Sequence, residues 1–93
     1  MIKSFASKDT ERLFHGRYSR QYPRDIQRVA ARELEVSAAA TRLESLRVPP
    51  SIRLQKLSGD RHGQYSIRIN DQWRICFAWK GGDAYDVEIV DYH

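Results

Sequence analysis

Three stretches in the second half of the chain alternate polar and apolar residues, and this period of two constrains the fold more than any other feature. Tyr65-Ser66-Ile67-Arg68-Ile69, Trp73-Arg74-Ile75-Cys76-Phe77-Ala78-Trp79 and Ala84-Tyr85-Asp86-Val87-Glu88-Ile89-Val90 each read as a half-buried strand. With Asn70-Asp71-Gln72 as a polar loop, Ile69 faces Trp73, Ile67 faces Ile75, and Arg68 falls opposite Arg74. Like charges in cross-strand register are destabilising. The pair leaves two readings open: an anion held between the guanidiniums, or both splayed into water.

After the second strand comes Gly81-Gly82-Asp83. A two-residue Gly-Gly turn would set Phe77 opposite Asp86, apolar against charged, so parity predicts a three-residue loop. That register matches Trp79 with Tyr85, Phe77 with Val87 and Ile75 with Ile89, and puts Arg74 opposite Val90. Tyr92 then lies one cross-strand step away on the same face, and His93 follows it. Two arginines, a tyrosine and a histidine converge on one patch. A phosphate clamp with acid and base groups is what cleavage of an RNA phosphodiester requires.

Upstream, Met1–Phe5 reads as a short first strand. Ser7 caps a helix from Lys8 to about His15, with Asp9 and Glu11 in its first turn and Gly16 ending it. Tyr22-Pro23 starts a second helix, with Ile26, Val29, Ala30 and Leu34 as its apolar stripe. Thr41-Arg42-Leu43-Glu44 is a capping-box pattern for a short third helix, stopped by Val48-Pro49-Pro50. Strands are expected at 52–57, 64–70, 73–80 and 84–91. The predicted architecture is α+β, a twisted, mainly antiparallel sheet with two to three helices packed on one face. The buried side takes Tyr65, Ile67, Ile69, Trp73, Ile75, Phe77, Trp79, Val87 and Ile89; the opposite face carries Arg53, Gln55, Arg68, Arg74 and Tyr92.

Ninety-three residues, 41% of them hydrophobic, fit one domain spanning 1–93. No apolar run is long enough to span a bilayer and no signal-peptide pattern opens the chain, so no membrane role and a cytoplasmic location are expected. Cys76 is the sole cysteine; mid-strand and without a histidine in register, it reads as packing rather than as a nucleophile. The net charge of +4 is uneven: residues 1–62 hold 13 Lys/Arg against seven Asp/Glu, and residues 63–93 hold three against five. Twelve of the 16 basic residues are arginine, whose planar fork suits phosphate. RNA or an anionic partner surface fits that balance. Arg24, Arg28 and Arg32 share a flank of the second helix, either simply solvated or used in docking. His15 and His62 lack metal-ligand spacing, so no metal and no cofactor are expected.

Leu54-Gln55-Lys56-Leu57-Ser58-Gly59-Asp60-Arg61, Tyr65 to Asn70, Trp73-Arg74-Ile75, the terminal Asp91-Tyr92-His93 and the opening Met1-Ile2-Lys3-Ser4-Phe5 resemble the HigB toxins, the plasmid-maintenance killer family of the RelE superfamily. The resemblance covers essentially the whole chain. It implies a RelE-like fold, ribosome-dependent endoribonuclease action on mRNA, and a helix-turn-helix, HigA-like antitoxin through which alone operator DNA is reached. In the chemistry it implies, the 2′-OH attacks the adjacent phosphate and a 2′,3′-cyclic phosphate remains. Arg74, assisted by Arg68, would stabilise the transition state, and His93 or Tyr92 would move protons, Tyr92 alternatively stacking on a base. Gln55 stands where some members carry a histidine. Arg53, Lys56 and Asp91 are candidates for substrate contacts, and Arg24, Arg28 and Arg32 for docking on ribosomal RNA. Two alternatives are a ParE-like gyrase poison, against which Asp91-Tyr92-His93 argues, and a non-catalytic modulator of an antitoxin repressor.

Overall fold

The structure, a computed structural model, describes residues 1–47 and 52–91. Helix α1 spans Lys8–Phe14 and α2 spans Arg24–Ala39. Ser7 is extended and its hydroxyl accepts from the Thr10 N–H at 3.3 Å, the expected cap. Pro23 precedes α2 rather than opening it, one residue from the predicted start. The Gln27 amide ties the incoming loop to the helix: Nε2 donates to the carbonyls of Ser19 (2.7 Å) and Tyr22 (2.9 Å).

Ile26, Ala30 and Leu34 are buried as the stripe predicts, but Val29 is exposed. The buried stripe of α2 also takes in Gln27, Glu33 and Ser37, and this tilt turns Val29 out on the opposite flank. Residues Leu43–Arg47 form a 3-10 helix rather than an α-helix. Leu46, fully buried, anchors the turn. Val48-Pro49-Pro50 lies outside the described residues.

The sheet runs β1 (Gln55–Lys56), β2 (Gln64–Arg68), β3 (Trp73–Lys80), β4 (Asp83–Asp91), in that spatial order and antiparallel throughout. Ile2 and Phe5 bridge to Ala84 and Val87 in parallel, so the N-terminal segment lies along β4. α1 and α2 pack on one face, where Ile67, Ile75, Phe77, Val87 and Ile89 meet Leu13, Ile26, Ala30 and Leu34. Tyr65, Trp73 and Trp79 border this core, half-buried. Thr10 locks α1 to the sheet: its hydroxyl accepts from the Ile89 N–H at 3.0 Å and bonds the Tyr22 hydroxyl at 2.9 Å.

Met1–Phe5 makes isolated bridges rather than the expected short strand, and β1 is shorter than the expected 52–57. Arg53 has φ 50°, which breaks the extended run, yet Ile52 still reaches the core and its carbonyl accepts from the Arg68 N–H at 2.6 Å. Ile67↔Ile75 and Arg68↔Arg74 pair as the alternation requires. Asn70 shapes the loop, its Oδ1 accepting from the N–H groups of Gln72 (2.9 Å) and Trp73 (2.8 Å), an Asx-turn.

At the next turn the three-residue loop is wrong. Lys80 pairs with Asp83 and Trp79 with Ala84, leaving a two-residue turn with Gly81 at φ 56° and Gly82 at φ 84°, the positive pair that a type I′ turn needs. A bulge then restores the expected pairs Ile75↔Ile89 and Arg74↔Val90. Asp86, at φ 53°, is its extra residue, and its N–H donates to the Ser4 hydroxyl at 2.8 Å. The bulge lets Val87 face the core without Asp86 following it in. A Cβ on Gly82 would sit 3.0 Å from the Thr41 carbonyl oxygen. Gly82→Ala should therefore lower stability by about 1–3 kcal/mol, read as a shift in the urea midpoint, with Gly81→Asn nearly neutral.

Candidate phosphate-binding site

On the face away from the helices, neighbouring strands build two ranks. One is Arg68–Arg74–Val90; the other is Gln55–Ser66–Cys76–Glu88. The arginine pair that alternation requires is therefore present, and each guanidinium has a local partner. Arg68 is ion-paired with Asp71, from the loop that joins the strands. Asp71 is almost fully exposed, so water screens this pair and it adds little stability. Arg74 Nη1 donates to Ser66 Oγ at 3.0 Å. Two guanidiniums a single cross-strand step apart bring together the charge and the donors that could take up an anion with several oxygens.

The second rank is closed rather than open. Ser66 and Cys76 are fully buried although they point away from the core. Arg61 pairs with Glu88 at 2.9 Å and donates to Gln64 Oε1 at 3.0 Å. Burial pushes the Cys76 thiol up, Arg61 and Arg74 oppose that, and Glu88 adds to it. A buried, protonated thiol is inert, which agrees with packing.

Other expected site residues divide. Gln55 is exposed on β1 opposite Ser66, in the second rank. Lys56 pairs with Tyr65, whose ring lies against Phe77, so alternation carries Lys56 to the other face of the sheet. Arg53 is exposed just before β1. Asp91 ends β4 opposite Trp73 and accepts from Gln72 Nε2 at 3.2 Å, beside the loop that carries Asp71. Tyr92 and His93 lie outside the described residues. Arg24, Arg28 and Arg32 are exposed along α2, in the helix layer, and do not join the Arg68–Arg74 patch. Arg24 instead lies 5.1 Å over the Tyr18 ring.

Sequence reasoning missed Ser66, Arg61, Glu88 and Glu33. The alternation that placed Arg68 places Ser66 as well; nothing in the sequence reports that Arg61, from a turn, reaches β4. Glu33 on α2 is 8% exposed, and its Oε1 has no hydrogen-bond partner among the described residues. Burial raises its pKa to about 7, with Arg68 pulling the other way. Among the described residues, no group of three or more His, Cys, Asp or Glu side chains gathers to hold a metal ion, and no helix is long and apolar enough to cross a membrane. A separate open groove of about 570 Å³, lined by Lys8, Glu11, Arg12, His15 and Arg17, shares no residue with the arginine pair.

Two helices on one face of a four-stranded antiparallel sheet make a RelE-type fold. A chain in the YoeB–YefM complex from Staphylococcus aureus superposes with a TM-score of 0.57 at 16% identity, covering 100% of this chain and 98% of that one. The sequence pattern of the HigB-like toxins, described as the RelE-like toxin of type II toxin-antitoxin system HigB, matches residues 3–93, and the chain belongs to that family. It is 37% identical to the Endoribonuclease HigB of Proteus vulgaris over 100% of both proteins. It is 35% identical to Toxin HigB-1 of Vibrio cholerae over 90% of both.

Proposed function

We propose that this protein is an endoribonuclease toxin that cleaves mRNA on the ribosome without a metal ion and is neutralised by a helix-turn-helix antitoxin. The observation that carries the reading is the Arg68–Arg74 pair on the outer face, with Arg74 tied to Ser66, in a chain 37% identical to an endoribonuclease. In this reading the whole chain acts as one domain in the cytoplasm, where ribosomes are. The 2′-OH of the substrate attacks the adjacent phosphorus and the 5′-oxygen leaves, so a 2′,3′-cyclic phosphate remains. The equatorial oxygens gain negative charge as the bond forms, and Arg74 meets it, with Arg68 beside it. His93 or Tyr92 moves the protons. With few acid and base groups of its own, the enzyme relies on the ribosome to orient the message, and orientation supplies much of the barrier reduction. Gln55 contacts the substrate from the neighbouring rank, Arg53 meets backbone phosphates, Lys56 meets those that pass round the β1 edge to its own face, and Asp91 contacts the substrate at the end of β4. Arg24, Arg28 and Arg32 dock on ribosomal RNA from the helix side.

The test is a translation extract in which new mRNA ends are mapped by primer extension. Wild-type protein should cut translated mRNA and leave naked RNA nearly intact. Residual cutting of naked RNA should be unchanged by EDTA. Deleting His93 should lower cleavage about a hundredfold or more while ribosome co-sedimentation changes less than about threefold. Toxicity without new mRNA ends would defeat the nuclease reading and favour gyrase inhibition, which a supercoiling assay measures directly.

A further inference from the structure

A strand face that meets solvent ordinarily leaves its serines wet, yet Ser66 on the outer face of β2 is 0% exposed. Cys76, its partner on β3, is equally buried. On the same face runs Arg61 from the turn between β1 and β2, held by Gln64 on β2 and by Glu88 on β4. Glu88 is the cross-strand partner of Cys76, so the arginine side chain spans β3. Arg61 and Glu88 side chains retain 34% and 28% exposure, a half-buried pair on the face that carries the dry hydroxyl, where Leu57 is buried as well. That hydroxyl is the group that accepts from Arg74 Nη1.

We propose that Ser66, kept dry by the Arg61–Glu88 ion pair, is a positioning residue that aims the Arg74 guanidinium at the scissile phosphate. The inference deepens the nuclease reading and rests on it. A free arginine side chain samples many rotamers, and each must be given up when it meets a transition state. A guanidinium already fixed by a buried acceptor gives up less, and it presents its remaining N–H groups in a set direction. Exposed to solvent, the same serine would exchange Arg74 for water. Arg61 and Glu88 thus act at a distance, by keeping water from Ser66, and neither touches the substrate.

A double-mutant cycle on ribosome-bound mRNA tests this. Ser66→Ala should lower the maximal cleavage rate about tenfold and leave KM unchanged. In an Arg74→Ala background the same substitution should cost nothing further. Glu88→Gln should lower the rate by a smaller factor and make Cys76 react with dithionitrobenzoate much faster than in wild type, because the ion pair is lost. A wild-type rate for folded Ser66→Ala, or an equal loss with and without Arg74, overturns the inference while leaving the nuclease reading intact. Should Ser66→Ala fail to fold, the Glu88→Gln arm decides: a wild-type rate together with an exposed thiol overturns the proposal. Wild-type protein that leaves ribosome-bound mRNA uncut overturns the nuclease reading and takes this inference with it.

Discussion

Arg74→Ala is expected to lower mRNA cleavage about a hundredfold, about 2.7 kcal/mol of transition-state stabilisation, with the fold retained. The side chain projects from β3 on the face away from Leu34, Phe77 and the rest of the core, so its loss opens no apolar cavity. It also removes a like charge from opposite Arg68, a small gain that offsets the released Ser66 hydroxyl. Arg68→Ala should cost less, since that guanidinium is already shared with Asp71. Time courses of primer-extension products, with circular dichroism melts on the same preparations, measure both quantities. A folded Arg74→Ala protein that cuts at the wild-type rate would remove this residue from the site.

Glu33→Gln is expected to stabilise the protein at pH 8 by about 1–3 kcal/mol and to have little effect near pH 4.5. Burial raises the carboxyl in the folded state to about 7, from an ordinary value of 4.5, against the partial opposition of Arg68. The folded chain therefore holds a proton that the unfolded chain has released throughout the window between those values. Below the lower value both states are protonated and the group costs nothing. As pH rises through the window stability falls, and above about 7 the full cost of a buried carboxylate is present. Glutamine carries no charge and escapes this loss. Urea denaturation across pH 4.5 to 8 should show the wild type losing stability relative to the variant; parallel curves would show that Glu33 does not titrate as its burial requires.

The sheet was legible because a period of two leaves little freedom once one face must be apolar. Ile67, Ile75 and Ile89 alone set the pairing that puts Arg68 beside Arg74. The same logic erred at Gly81-Gly82 because parity counts only whole loops. A bulge at Asp86 changes parity inside a strand, and although aspartate tolerates the left-handed backbone better than most side chains, one Asp in an alternating run does not announce it. Val29 was misplaced because Gln27, Glu33 and Ser37 bury polar atoms where an apolar stripe was expected. Gln27 is legible only afterwards, as the amide that closes the loop before α2. Of the site, the arginine pair could be read from strand arithmetic alone. The Arg61–Glu88 contact could not, since residues 27 positions apart meet there through a turn whose direction depends on the whole sheet.

The way the sheet ends bears on how the toxin behaves at high concentration. An unprotected edge invites another chain to add a strand, and extended polymers grow from such edges. Here β4 is flanked by Ile2 and Phe5, whose neighbours exchange backbone hydrogen bonds with Ala84 and Val87, while Thr10 takes the N–H of Ile89. At the other end β1 offers only Gln55 and Lys56, and the left-handed Arg53 just before them turns the backbone out of strand geometry. A recruited strand would find two residues to pair with and a lysine in the way. Self-association through the sheet is thereby discouraged at both ends, and a chain released from its antitoxin should remain dispersed rather than polymerise.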